Sequence, residues 1–181
     1  MGDVVDVNLT ERYVISELLG HRSKTGYDSL IVAAGANQSY FGNDHFAEFT
    51  PGMKMIDDAL EVRGRIPGAL ELAERTSDPA HRAQLLTFTV VGAGPTGVEL
   101  AGQIVELTTQ TMKREFRQID PAPVRVVLLD ALPTVLTAMG PRLGAKAQHR
   151  LQQLGVEIQL GVKVVDVDRD GLTVKDSDGT T

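Results

Sequence analysis

The stretch TFTVVGAGPTGVELAG, Thr87 to Gly102, places a β-branched run directly before glycines spaced G-x-G-x-x-G at Gly92, Gly94 and Gly97. A turn of this composition can bring bare backbone N–H groups against a pyrophosphate. Gly92 suits the tight turn, Gly94 lets the main chain approach the phosphates, and Gly97 lets the following helix pack closely on the strand. A helix starting near Pro95 would point its unpaired N–H groups and the positive end of its dipole at the anion. Pro95 costs little there, because the N–H it lacks would have had no helical partner. The same glycines could serve a merely tight strand-to-helix junction. The cradle is favoured by context: a strand precedes the turn, a helix follows it, and that helix leads to a second strand.

A dinucleotide fingerprint also wants an acid at the end of the second strand, to accept hydrogen bonds from the adenosine ribose and repel a 2′-phosphate. Asp130 closes the run VRVVLLD and stands in that place. Its other reading is a turn residue ending a strand. The interval from the glycines exceeds the usual roughly 20 residues, which an extended helix and the RQIDPAP connection would explain. Glu99, expected in the first turn of the helix, either complements its dipole or helps position the nicotinamide end of a bound dinucleotide. Asp57 and Asp58 open another helical run and read as caps. His45, His81 and His149 fall in loop or helix-surface contexts and read as solvated.

The elements that must hold these residues follow from pattern. Val4 to Leu9 and Tyr13 to Ser16 read as strands joined by a turn at Asn8 to Arg12, and Ser29 to Ala33 is a compact apolar strand halted by Gly35. NQSYFGNDHFAEFTPG has no period and reads as an interdomain connection. From Met55, Ile56, Ala59, Leu60, Arg63, Ile66, Ala69, Leu70 and Ala73 recur at helical spacing, with a kink or break expected at Pro67. Ser77-Asp78-Pro79 starts a short helix to about Gln84. After the strand Leu86 to Val91, the helix beyond the glycines turns Ala101, Ile104, Val105, Thr108, Met112 and Phe116 to one side, and Pro121 and Pro123 end the unit. Val124 to Asp130 lacks polar alternation, as in a strand covered on both faces. A helix from Pro141 to Leu154 stops at Gly155. VEIQL is a third strand, and KVVDVDRDGLTVKDSDGTT is a hairpin turning at Asp170-Gly171, with a further turn signal at Asp178-Gly179. The fold class is therefore α/β: a Rossmann-like dinucleotide-binding domain with a parallel sheet and a β-hairpin, preceded by a short β segment.

Composition narrows the functions available. The 181 residues carry a formal net charge of -6 and 42% hydrophobic content, which suits an ordinary core and offers no attraction to nucleic acid. The absence of Cys excludes disulfides, thiolate metal sites and a cysteine nucleophile. Four scattered His suggest no metal site. No apolar run reaches the roughly 20 residues of a membrane span.

YDSLIVAAGANQSYFGNDHFAEFTPGMKMIDDALEVRGRI, followed by VVGAGPTGVELAGQIVEL, closely resembles the type II NADH:quinone oxidoreductases, particularly their mycobacterial members. The resemblance covers nearly the whole chain and is most specific from Tyr27 to Leu60. It implies an FAD domain interrupted by an inserted NADH domain, in a flavoenzyme at the cytoplasmic face of the inner or plasma membrane that transfers hydride from NADH to FAD and electrons to quinone. Residues 1–52 would be a partial FAD-binding domain and linker, and 53–181 the NADH-binding domain, lacking its final strand. The chain itself would then be a soluble fragment without quinone reductase activity. By position, Gly92, Ala93, Gly94, Pro95, Thr96 and Gly97 would hold the NADH pyrophosphate, Asp130 its adenosine ribose, and Glu99 would approach the nicotinamide and quinone. Ala33, Ala34 and Gly35 match the family's Ala-Thr-Gly turn beside FAD, with Ala34 where Thr is more usual; Asp130 stands where Glu is more frequent. Contact with the membrane surface would come only through parts outside this chain, and unpaired edges in residues 4–33 invite a homodimer. Rival readings are another two-dinucleotide reductase of the ferredoxin or rubredoxin type, a non-enzymatic NAD-sensing module, and a methyltransferase.

Overall fold

The computed structural model describes residues 2–35, 38–111, 124–176 and 179. Met112, Phe116, Pro121, Pro123 and Asp178 lie outside them. Contacts divide the chain into two units, Met1–Ala36 and Asn37–Thr181.

The first unit is an antiparallel meander of β1 (Asp3–Asn8), β2 (Tyr13–Leu18) and β3 (His21–Gly26), in that order. The expected turn between β1 and β2 is closed by Asn8, whose Oδ1 accepts the N–H groups of Thr10 at 3.0 Å and Glu11 at 2.7 Å. Such a side-chain turn is what Asn does most readily. The third strand corrects the sequence reading, which placed it at Ser29–Ala33. HRSKTG has no apolar alternation, so its pattern is silent. It becomes a strand because Leu19 and Gly20, at φ 50° and 79°, form a two-residue reversal that sets Leu18 opposite His21. Ion pairing of Arg22 with Glu17 at 2.8 Å and the Lys24 ammonium 3.6 Å above the Tyr13 ring then tie β2 to β3. Residues 29–33 join no ladder among the described residues, and Ile31 and Val32 are exposed.

In the second unit a parallel sheet runs β4 (Thr87–Val91), β5 (Arg125–Asp130), β6 (Val156–Leu160) in spatial order, with β5 central. Around it lie α1 (Ile56–Arg75), α2 (Pro79–Leu85), α3 (Pro95–Glu106) and α4 (Pro141–Leu154). A hairpin of β7 (Lys163–Val167) and β8 (Leu172–Lys175) completes it. As its unbroken apolar run predicted, β5 is covered on both faces, Val126 to Leu129 all being buried. One core gathers Val126 and Leu128 with Val90 of β4, Ala101, Ile104 and Val105 of α3, Leu151 of α4, and Ile66, Leu70 and Ala73 of α1.

Two helical expectations change. Helix α1 runs through Pro67 as one element rather than two. Loss of the one N–H that would bond to Arg63 is outweighed by burial of Ile66, Leu70 and Ala73 around the proline. The apolar spacing also overstated the buried face, since Ile56 and Leu60 are exposed. Helix α3 passes into a π turn at Leu107–Thr111, where the Thr108 hydroxyl, fully buried, donates to the Ile104 carbonyl at 2.8 Å.

Of the expected caps, Asp78 and Asp58 form, while Asp57 lies in the first turn of α1 without a capping role. Asp78 Oδ1 accepts the Ala80 N–H at 2.9 Å, and Asp58 Oδ2 accepts those of Lys54 and Met55, both at 2.9 Å. Those bonds, Met55's foremost, hold the Asp58 carboxyl below its ordinary value. The segment before α1 is packed rather than loose: Tyr40 Oη donates to the Thr50 carbonyl at 2.6 Å, Arg65 Nη1 donates to the Phe49 carbonyl at 2.6 Å, and Phe46 is buried.

At the start of the sheet, Arg125 of β5 grips Glu157 of β6 with Nε–Oε1 at 2.9 Å and Nη2–Oε2 at 2.7 Å. The hydrogen bond from Arg125, reinforced by its charge, lowers the Glu157 pKa. A carboxyl whose folded-state pKa is depressed adds stability above its unfolded-state value, and that gain is lost as pH falls through the folded-state value. Glu157→Gln is therefore expected to be slightly less stable than the parent at neutral pH, with the difference closing below the ordinary value of 4.5. The effect is small because both side chains are about half exposed. Urea melts at several pH values check it.

Candidate functional site

The glycine turn joins β4 to α3, and two of its glycines are required by the fold itself. Gly92 sits at φ 106°, a conformation that L side chains rarely adopt. Gly97 lies so close to Gly92 that a Cβ added there would stand 1.8 Å from the Gly92 carbonyl oxygen. Gly94 is different. Its φ of -74° and ψ of -177° suit any residue, and a Cβ there would meet nothing within 4 Å. It is the N-cap of α3, its carbonyl accepting the Val98 N–H at 3.0 Å. Beyond it stand the unpaired N–H groups of a helix N-terminus.

Asp130 closes β5 beside this turn, and its carboxylate is already engaged. Oδ2 accepts the Ala93 N–H at 2.5 Å and Oδ1 accepts the Leu132 N–H at 2.7 Å. A carboxylate has about four acceptor positions, so each oxygen keeps one for a ligand. The segment after β5 then folds back over the turn, the Leu136 N–H donating to the Ala93 carbonyl at 2.8 Å. Leu136 itself is left-handed, at φ 50° and ψ 42°, and Val135 beneath it is buried against Gly144, where a Cβ would be 2.5 Å from the Val135 carbonyl oxygen.

Between the turn and this segment lies an open cleft of about 420 Å³, lined by Ala93, Gly94, Pro95, Asp130, Leu132, Leu136 and Thr137 to Met139. Its volume falls in the range of small-molecule sites. The walls are apolar, and the one charged group among the lining residues is the Asp130 carboxylate. The arrangement suits a flat apolar ring carrying hydroxyls near Asp130 and an anionic group near the α3 N-terminus. The donor set thus fits the adenosine and pyrophosphate of a dinucleotide.

Of the sequence candidates, Ala93, Gly94, Pro95 and Asp130 meet at the cleft, with Gly92 and Gly97 shaping the turn behind it. Thr96 is exposed in the first turn of α3. Glu99 departs from expectation: with Gly94 as N-cap, it is the fifth residue of α3 and exposed, outside the first turn, so it does not complement the dipole there. Ala33, Ala34 and Gly35 belong to the first unit and are exposed, Gly35 at φ 74°. His45 pairs with Asp166 at 3.2 Å and His149 with Gln153 at 2.9 Å, away from the cleft. The cleft residues Leu132, Leu136, Thr137 and Met139 were not legible beforehand. Their only signal was position, just beyond the acid that ends the second strand.

The chain matches the family described as pyridine nucleotide-disulphide oxidoreductase over residues 1–181. It is 68% identical over 180 residues to the type II NADH:quinone oxidoreductase Ndh of Mycobacterium tuberculosis, an alignment covering 99% of this chain and 39% of that protein. It is 59% identical over 179 residues to NdhA of the same organism, covering 99% of this chain and 38% of that one. The fold is similar to NDH2 from Plasmodium falciparum in complex with NADH, with a TM-score of 0.84 at 22% identity, covering 97% of this chain and 36% of that chain. The resemblance drawn from Tyr27–Leu60 and the glycine tract is thus borne out along the chain, which spans about two fifths of the length of these relatives.

Proposed function

The chain belongs to the pyridine nucleotide-disulphide oxidoreductase family, and on that premise we propose that it is the NADH-binding portion of a type II NADH:quinone oxidoreductase. The pyrophosphate of NADH lies over Gly92, Ala93, Gly94, Pro95, Thr96 and Gly97 at the N-terminus of α3. Asp130 receives the ribose hydroxyls on its two remaining acceptor positions, and the adenine lies against Leu132 and Met139. Glu99 faces the nicotinamide end. Ala93 serves by close contact, because its N–H is held by Asp130.

When bound, FAD would take the hydride of NADH and pass two electrons to quinone. The part played by the residues of this chain is alignment: holding the dinucleotide at both phosphate and ribose makes the transfer effectively intramolecular. Residues 1–52 serve as part of an FAD domain, with Ala33, Ala34 and Gly35 beside that cofactor, and residues 53–181 as the NADH domain. The whole protein acts at the cytoplasmic face of the membrane. No described helix is long and apolar enough to cross one. The exposed Leu30, Ile31 and Val32 supply a surface for packing against further FAD-domain chain or a second copy.

The observation that carries this reading is Gly94, the one fingerprint glycine that the fold does not itself require. A Cβ there would occupy only the space a phosphate needs. Ala caps a helix less well than Gly but lowers the entropy of the unfolded chain, so Gly94→Ala is expected to leave stability within about 0.5 kcal/mol of the parent while weakening NADH about tenfold or more, read by calorimetry beside a thermal melt. Unchanged NADH affinity in this variant would sink the proposal.

A further inference from the structure

The nucleotide reading gives Asp130 one task, the ribose. The geometry of the turn gives it a second. Two successive peptide planes of the turn are fixed from outside. In the plane joining Gly92 to Ala93, the N–H is held by Asp130 Oδ2 at 2.5 Å, while the Gly92 carbonyl oxygen sits where a Gly97 Cβ would be, 1.8 Å away. In the plane joining Ala93 to Gly94, the carbonyl is held by the Leu136 N–H at 2.8 Å. No peptide bond among the described residues is cis, so the Gly94 N–H points away from Leu136, opposite to that carbonyl. The segment carrying Leu136 is itself anchored at its start, by the Leu132 N–H on the other Asp130 oxygen at 2.7 Å.

We infer that Asp130 is a positioning residue for the phosphate turn, organising Ala93 and the Leu132–Leu136 segment before any ligand arrives, in addition to its contact with the ribose. The inference rests on the nucleotide reading of the cleft. It separates two roles that one carboxylate would otherwise confound. Without Asp130, the Ala93 N–H, in a residue only 2% exposed, loses its acceptor, and a buried donor left unpaired is strongly disfavoured. The turn then relaxes, and phosphate binding weakens even for a ligand with no ribose hydroxyl to lose.

The test compares ADP with 2′,3′-dideoxy-ADP, which keeps the adenine and pyrophosphate and lacks both hydroxyls, titrated into the full chain and into Asp130→Ala and Asp130→Asn. The positioning role predicts that Asp130→Ala weakens dideoxy-ADP by about tenfold and ADP by more, with Asp130→Asn, which keeps one acceptor oxygen, between the parent and Ala. Far-UV circular dichroism establishes that each variant is folded. Amide exchange without ligand provides the second readout: protection at Ala93 and Leu132 should fall about tenfold in Asp130→Asn, while Val126 to Leu129 stay protected. Loss of ADP affinity with dideoxy-ADP unchanged and both amides still protected would overturn the inference and leave Asp130 as a ribose contact alone. Failure of the folded parent to bind either ADP or NADH would overturn the nucleotide reading, and the inference with it.

Discussion

Gly97→Ala is expected to abolish nucleotide binding and to destabilise the second unit together. The added methyl would stand 1.8 Å from the Gly92 carbonyl oxygen and 3.0 Å from its carbon. Both are backbone atoms, so no side chain can swing away to make room. Either α3 slides off β4 or the Gly92 turn opens, and both break the arrangement that places the helix N-terminus at the cleft. Overpacking of a close contact costs about 1–3 kcal/mol, and affinity for NADH should fall by about a hundredfold or more, since phosphate, ribose and turn lose register at once. Urea melts and calorimetry on the same preparation measure the two effects. The contrast with Gly94→Ala makes the result diagnostic. Loss of binding at both positions, but loss of stability only at Gly97, is the pattern of one glycine that serves the fold and one that serves a ligand.

The second large effect is expected in the core. Leu128 lies midway along β5, paired to Val90 on one side and Ile158 on the other, and is fully buried. Truncating it to Ala removes a side chain from the central strand, which neighbours on both edges keep from closing the gap. Leu128→Ala should cost about 2–5 kcal/mol in urea denaturation of the second unit. Leu60→Ala in α1, at a position 56% exposed, should be nearly neutral. A neutral Leu128→Ala would contradict the placement of β5 at the centre of the sheet.

Much of the second unit was legible because its signals are local. Pro141 and Gly155 bracket α4 since the first fits a helix start and the second adopts φ 95° at its end. Asp78 and Pro79 start α2 for the same kind of reason. The unbroken apolar run of β5 announced a strand buried on both faces. What escaped depends on partners distant in the chain. The strand β3 is polar and owes its state to pairing with β2, whereas LIVAA is apolar and joins no ladder among the described residues. At the site, the position of Asp130 could be read from the fingerprint. Its bond to Ala93, spanning 37 residues, could not, nor could the fold-back of Leu136 that depends on a left-handed leucine. Glu99 falls outside the first turn of α3 because a helix that starts at Pro95, as the sequence indicated, makes it the fifth residue.

Calorimetric titration of the chain with NADH and, in parallel, NADPH tests the nucleotide site most directly. The Asp130 carboxylate beside a cleft whose lining residues include no cation predicts saturable NADH binding, with NADPH weaker by about tenfold or more and that margin shrinking in Asp130→Ala. A folded chain that binds neither dinucleotide, or binds both equally, would contradict it.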